Sequence, residues 1–158
     1  MYIILFHTGE AEEKQTKQGE TRAVLTKNGE KAVVDAAQGL DRIIPRKIKT
    51  QVWSSMLPAA SQTAELVAEE LGVKRRFLKT LDTDDLSTLL AMAFEHCTDD
   101  CLIFVSRQPY LGDWSRKLAG LKLPFGEASA AGFTVDQEAP AQNELLWFIQ
   151  PRILKRIG

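Results

Sequence analysis

The chain has 158 residues, and its 20 Lys and Arg residues against 21 Asp and Glu residues give a formal net charge of −1. This length is typical of one domain (1–158), and the balanced charge argues against a nucleic-acid partner, which would need a basic excess. Two histidines and two cysteines leave little material for a zinc site, so we expect no metal and no other cofactor. No apolar run approaches about 18 residues, and the start of the chain lacks the basic region of a signal peptide, so we expect a cytoplasmic protein without membrane contact.

Apolar patterning predicts strands that alternate with helices in chain order. Strands are expected at residues 2–6, 48–54, 77–81 and 101–105, followed by an antiparallel pair at about 128–135 and 144–149. Four helices are predicted. The first begins after Thr26, and the second spans 57–71 and ends at Gly72. The third runs from a cap at Asp82 or Thr83 to about His96, and the fourth runs from Pro109 to near Gly120. Residues 10–21 are expected to be a mobile loop near a site, and residues 74–76 a solvated basic turn.

Strands alternating with helices indicate an α/β sandwich with a mostly parallel central sheet. Such sheets bind ligands in a crevice outside the carboxyl ends of their strands. That rule selects the residues at the ends of three strands: His7, Thr8 and Gly9, then Ser54 and Ser55, then Ser106 and Arg107. Trp53 is expected to border the cleft.

Four segments, in order, carry a family resemblance. Residues 5–12 (LFHTGEAE) are similar to a strand ending in R-H-G and followed by Glu-Ala, and residues 22–29 (RAVLTKNG) to an R-P-L-T-x-x-G helix start. Residues 55–64 (SMLPAASQTA) resemble S-P-x-x-R-A-x-Q-T-A, and residues 106–109 (SRQP) resemble G/S-H-x-P. Together these segments resemble the histidine phosphatase superfamily, in particular its SixA-like phosphohistidine phosphatases. The resemblance implies a three-layer αβα sandwich of the phosphoglycerate mutase-like type.

The resemblance also implies a chemistry that this sequence matches only in part. Family members use a nucleophilic histidine, two arginines that hold the phosphoryl oxygens, and a second histidine. His7 stands at the nucleophile position, whereas Phe6 and Ala59 stand where the family has arginines and Arg107 stands at the second histidine. We therefore expect a degenerate member, impaired or inactive as an enzyme, that binds a phosphorylated or anionic ligand or a protein partner in the former active-site cleft.

Two alternatives stay open from the sequence. One is an active, divergent phosphatase that uses His7 with relocated arginines, and the other is a protein-interaction domain whose cleft is filled by Phe6 or a bulky neighbour. The candidate ligand-binding groups also have ordinary structural interpretations: helix capping for Ser55, a solvated or ion-paired arginine for Arg22 and Arg107, and a tight turn for Thr8 and Gly9. The functional alternative for Thr8 and Gly9 is an anion nest formed by their backbone N–H groups. His96, Cys97 and Cys101 resemble metal ligands in spacing, but core thiols account for the cysteines better.

Overall fold

The computed structural model describes residues 1–96 and 100–158, and it forms a six-stranded sheet flanked by helices, with a separate two-stranded hairpin. The prediction that Cys97 is a core thiol therefore concerns a residue outside the described ranges. The strands are β1 Tyr2–His7, β2 Ala11–Gln15, β3 Thr21–Leu25, β4 Thr50–Ser54, β5 Lys74–Phe77, β6 Cys101–Ser106, β7 Ala130–Thr134 and β8 Glu144–Ile149. The helices are α1 Lys27–Ile43, α2 Pro58–Leu71, α3 Leu86–His96, α4 Tyr110–Ala119 and α5 Pro151–Ile157, with short 3₁₀ turns at Lys79–Asp82 and Pro140–Gln142.

The main sheet has the order β5-β4-β6-β1-β7-β8 and is mostly parallel. Strands β5, β4, β6 and β1 are parallel neighbours, whereas β7 is antiparallel to both β1 and β8. This arrangement confirms the predicted α/β class and the antiparallel final pair.

Two hydrophobic cores lie on opposite faces of the sheet, which makes the fold three-layered. Side chains of β1 alternate between them because successive residues of a strand face opposite sides. Ile3 and Leu5 pack with α3 and α4, whereas Ile4 and Phe6 pack with α1, α2 and α5. All four are fully buried, which explains why β1 has a continuous apolar sequence.

Several local predictions are confirmed. Thr26 caps α1, since its hydroxyl accepts a hydrogen bond from the Gly29 N–H at 2.9 Å. Gly72 ends α2 with a φ of 65°, a left-handed conformation that favours glycine. None of the helices in the described ranges has the length and apolarity needed to cross a membrane.

The segment expected to be a mobile loop is instead a hairpin. Strands β2 and β3 pair antiparallel from Ala11 opposite Leu25 to Gln15 opposite Thr21, with Gly19 at a φ of 81° in the turn. All residues of β2 are exposed, so the segment lacks the apolar alternation by which a half-buried strand is recognised.

The edge strand β5 begins three residues earlier than predicted and ends at Phe77, and its basic residues are not a turn. Arg75 and Arg76 belong to this strand, with their guanidinium carbons 5.3 Å from the Phe77 ring centroid and 5.5 Å from that of Trp53. Basic side chains at a sheet edge oppose pairing with another chain. Trp53 does not border the cleft: it is fully buried and stacks on Phe104 in the core.

The cap of one helix differs from expectation, and a further helix is present that the sequence did not indicate. Asp85, not Asp82 or Thr83, caps α3, because its carboxylate accepts from the N–H and the hydroxyl of Thr88. Helix α5 was not predicted. Its backbone at Leu154 lies so close to Gly39 of α1 that a side chain at position 39 would overlap it, so the glycine permits the contact.

Candidate functional site

Three strand ends converge at one edge of the sheet because β1, β4 and β6 are parallel neighbours. His7 of β1 is in register with Ser106 of β6, and Ser54 of β4 with Val105. The backbone N–H of Thr8 donates to the Ser106 carbonyl at 3.0 Å, which joins the first residue after β1 to the last residue of β6. The crevice predicted from the strand ends therefore forms at this edge.

A cleft of about 620 Å³ opens there, and five predicted ligand-binding residues line it together: Thr8, Arg22, Ser55, Ser106 and Arg107. The hairpin supplies one wall through Glu20 to Ala23, and the start of α2 supplies another through Leu57 to Ala60. His7 and Gly9 are not among the residues that line the cleft. A second cavity, of about 720 Å³, lies beside Arg42 and Thr50, at the amino end of β4, and contains none of the predicted site residues.

His7 is half-buried beside the cleft, with its ring oriented by a backbone hydrogen bond. Its Nδ1 lies 2.7 Å from the Thr8 carbonyl oxygen. A carbonyl only accepts hydrogen bonds, so Nδ1 carries the proton and the neutral ring keeps a lone pair on Nε2. Burial lowers the pKa of His7 below its ordinary value of 6.5, against the opposing effects of the Thr8 bond and of Glu127. The imidazole is therefore neutral at pH 7.

The backbone N–H groups of Thr8 and Gly9 do not form the anion nest that the sequence allowed. The Thr8 N–H is bonded to Ser106, and the Gly9 N–H donates to the Thr63 hydroxyl at 3.2 Å. Packing explains the glycine at position 9, because a Cβ there would lie 2.6 Å from the Val33 side chain. Thr8 remains a wall residue of the cleft, whereas Gly9 belongs to the packing beneath it.

The two serines of the cleft differ in their hydrogen bonding. The Ser55 hydroxyl accepts from the Leu57 N–H at 3.3 Å, but Leu57 is itself the N-cap residue of α2 and no side chain caps this helix, so the helix-capping interpretation of Ser55 is wrong. The Ser106 side chain is 2% exposed, and its hydroxyl has no hydrogen-bond partner in the described chain. Ser106 therefore brings an unsatisfied polar group to the wall.

The two arginines of the cleft differ in their partners. Arg22 lies in β3, exposed, with its guanidinium 3.4 Å from the Glu20 carboxylate. Arg107 is exposed and forms no salt bridge with the described residues; its guanidinium carbon lies 5.6 Å from the Tyr110 ring centroid. Cation–π stacking of this kind holds a guanidinium in place without neutralising it. Arg107 is therefore the better placed of the two to meet an anion.

Sequence reasoning missed part of the cleft. Asp82, taken for a helix cap, is a wall residue, and one of its carboxylate oxygens is buried without a hydrogen-bond partner in the described chain. Leu57 and Leu81 add an apolar lining. The cleft as a whole offers two guanidiniums, two carboxylates, hydroxyls and aliphatic surface, a set suited to an organic ligand with polar groups.

Of the three residues whose spacing resembles that of metal ligands, Cys101 has a clear structural role. Cys101 is a buried core residue at the start of β6, and burial raises the pKa of its thiol to about 12. In the described ranges, no three His, Cys, Asp or Glu side chains come close enough to hold a metal ion.

Comparison with known proteins places the chain in a family. No functionally curated protein matches it by sequence. Its fold matches the protein histidine phosphatase SixA complexed with tungstate, with a TM-score of 0.79, 20% identity and coverage of 98% of this chain and 99% of the other. It also matches the putative phosphohistidine phosphatase SixA from Agrobacterium tumefaciens, with a TM-score of 0.74, 17% identity and coverage of 95% and 98%. Residues 3–101 match the model of the histidine phosphatase superfamily (branch 1), and the chain therefore belongs to this superfamily.

Proposed function

We propose that this chain binds a phosphorylated or otherwise anionic ligand in the cleft and hydrolyses phosphate esters or phosphoamides poorly or not at all. The observation that carries the binding part is Arg107, whose guanidinium lies on the wall of an open cleft and has no carboxylate partner in the part of the chain that the structure describes. Guanidinium groups bind phosphate and carboxylate oxygens through paired, charge-assisted hydrogen bonds.

A series of contacts supports the position of Arg107. Its guanidinium stacks over Tyr110, whose ring centroid is 6.3 Å from that of Trp114 in a stacked geometry. Trp114 is fully buried and donates to the Asp84 carboxylate at 2.8 Å. A cation already positioned in this way loses less conformational entropy when a ligand binds.

The absence of the family's arginines supports the catalytic part of the proposal. Phosphoryl transfer depends on positioned positive charge around the transferred group, and losing one such donor typically costs roughly 10²–10³ in rate. By the resemblance above, two arginine positions hold Phe6, which is fully buried in the core, and Ala59. The carboxylate of Glu127 is near enough to raise the pKa of His7 against the effect of burial, and its negative charge opposes the approach of a phosphate to the ring.

One observation favours the alternative of an active phosphatase. The Thr8 carbonyl and the lowered pKa leave His7 with a free lone pair on Nε2 at neutral pH, as a nucleophile requires. That alternative predicts hydrolysis of phosphohistidine or p-nitrophenyl phosphate that is abolished in His7→Ala. The same result would refute the impaired-enzyme proposal.

A protein partner is the second alternative, and exposed apolar side chains favour it. Met56 and Leu57 are 73% and 47% exposed and adjacent in sequence beside the cleft, and contiguous exposed apolar surface is a feature of interaction sites. The filled cleft expected for a pure interaction domain is not present, because Phe6 lies in the core and the cleft holds about 620 Å³.

Binding of simple oxyanions tests the proposal. Phosphate, sulfate or vanadate should raise the melting temperature of the chain, because a ligand that binds only the folded state stabilises it. Arg107→Gln should weaken binding by about tenfold or more, the loss expected for a charge-assisted hydrogen bond. Arg116→Gln, which changes an exposed arginine of helix α4 that does not line the cleft, is the matched control and should bind as the parent does. Absence of stabilisation by every oxyanion, or equal binding by the Arg107 variant, would contradict the proposal.

A further inference from the structure

Two polar atoms in the cleft wall are buried and have no hydrogen-bond partner among residues 1–96 and 100–158. One is a carboxylate oxygen of Asp82, at the end of the 3₁₀ turn, and the other is the hydroxyl oxygen of Ser106, at the end of β6. Both residues line the cleft, and the 3₁₀ turn packs against β6. Buried polar atoms are almost always hydrogen-bonded to protein or to ordered water, so two unsatisfied ones in one cleft mark a place where a polar group from outside the chain can bind.

The chemistry of these atoms limits what that partner is. A carboxylate oxygen only accepts hydrogen bonds, and a hydroxyl both accepts and donates. A phosphate, which supplies oxygens, leaves the Asp82 oxygen unsatisfied and places like charges together. A protonated nitrogen matches the chemistry of both residues, because it donates several hydrogen bonds and carries the charge opposite to that of Asp82.

The remaining surface of the cleft fits a short carbon skeleton between two charged ends. Arg107 and Arg22 also line the cleft and offer positive charge. Aliphatic side chains complete the lining, among them those of Leu57, Ala59 and Leu81. Three kinds of surface thus line one cleft of about 620 Å³: the arginines, the Asp82 carboxylate with the Ser106 hydroxyl, and aliphatic side chains.

We propose that the ligand is a phosphorylated amine, whose protonated nitrogen binds Asp82 and Ser106 while its phosphate binds Arg107. This inference rests on the proposed function and narrows it, since it specifies a class of ligand. It assigns Asp82 as a residue that selects the ligand and makes no claim about hydrolysis.

A pair of probes of similar size tests the inference by calorimetric titration. O-phosphoethanolamine carries an ammonium group where propyl phosphate carries a methyl group, so the two differ chiefly in the proposed contact. The chain should bind O-phosphoethanolamine about tenfold more tightly or better, as expected for a hydrogen-bonded charge pair in a cleft. Asp82→Asn should remove most of this preference and should leave the affinity for propyl phosphate equal or higher.

Control variants separate ligand selection from damage to the fold. Asp82→Asn keeps the shape of the side chain and should melt no lower than the parent, because it removes a charge that has an unsatisfied oxygen. Asp41→Asn changes an acidic residue of the other cavity and should keep the full preference. Ser106→Ala should reduce the preference less than Asp82→Asn does.

The outcomes distinguish this inference from the function on which it rests. Equal affinities for the two probes in the parent chain, or an unchanged preference in Asp82→Asn, would overturn the assignment of Asp82 while leaving anion binding intact. If neither probe nor inorganic phosphate binds, the proposed function fails as well. A preference that is lost in Asp82→Asn and kept in Asp41→Asn supports both.

Discussion

The hydrogen bond between Asp84 and Trp114 connects the cleft to the core, and removing it should be costly. The indole N–H of Trp114 donates to the Asp84 carboxylate at 2.8 Å, and the Trp114 side chain is fully buried. Asp84 follows the turn that carries Asp82, while Trp114 lies in α4 together with Tyr110. Asp84→Ala removes the acceptor and leaves the buried N–H without a partner.

The expected loss follows from the desolvation of that N–H. A buried donor left unsatisfied costs about 1–3 kcal/mol in the free energy of unfolding. For a domain of this length, a loss of 1 kcal/mol lowers the melting temperature by about 2–4 °C, so the variant should melt roughly 2–12 °C below the parent. Urea denaturation followed by tryptophan fluorescence, together with calorimetry, measures both quantities.

Two further variants make the prediction refutable. Asp84→Asn keeps an acceptor oxygen, so it should lose less stability than Asp84→Ala. Asp113→Ala disrupts a 3.8 Å contact with Lys122, whose side chain is 65% exposed, and removes a carboxylate from the first turn of α4, so it should cost less than about 1 kcal/mol. If Asp84→Ala is as stable as Asp113→Ala, the bond does not hold the cleft to the core and our reasoning about Arg107 loses its support.

Three other predictions concern the pKa of His7, the packing of β7 and the reactivity of Cys101. Burial lowers the pKa of His7 in the folded state, so the unfolded chain binds more protons than the folded chain just below pH 6.5. The neutral His7 therefore contributes stability that is present above pH 6.5 and is lost as the pH falls through the folded pKa. Melting temperatures of His7→Asn should consequently fall less steeply with acid than those of the parent. Gly132→Ala should lose about 1–3 kcal/mol because its Cβ would lie 2.5 Å from the Trp147 ring, whereas Gly126→Ala, with no atom closer than 4.0 Å, should not. Cys101, with its pKa raised to about 12, should resist iodoacetamide in the folded chain and react in urea, as peptide mass spectrometry would show.

Each of these has a clear contrary result. Parallel acid profiles for the parent and His7→Asn would mean that His7 titrates alike in the folded and unfolded chain. Equal stabilities of Gly132→Ala and Gly126→Ala would place Trp147 elsewhere than against β7. Rapid labelling of Cys101 in the folded chain would contradict its burial in the core.

Elements buried on both faces were the most predictable part of the fold. Strands β1 and β6 have continuous apolar sequences because helices cover both sides of the sheet, and the sequence places them within a residue of their observed ends. The hairpin and helix α5 lack such a signal. The hairpin is polar and exposed along β2, and α5 has seven residues and buries only Leu154 fully.

The candidate site was predictable where it depends on strand ends and not where it depends on turns. Thr8, Ser106 and Arg107 meet in the cleft because carboxyl ends of parallel strands share one edge. Asp82 was missed because an acidic residue before a helix has the same sequence signal as a helix cap. The stacking of Arg107 on Tyr110 depends on side-chain orientation, which residue spacing alone does not give.

Locating a bound vanadate ion by crystallography would decide between a binding protein and a phosphatase. Our interpretation predicts an oxyanion in the cleft, hydrogen-bonded to the Arg107 guanidinium and with no bond to the His7 ring. Vanadium bonded to Nε2 of His7, with two guanidinium groups on its oxygens, would contradict it and would establish a catalytic centre with relocated arginines.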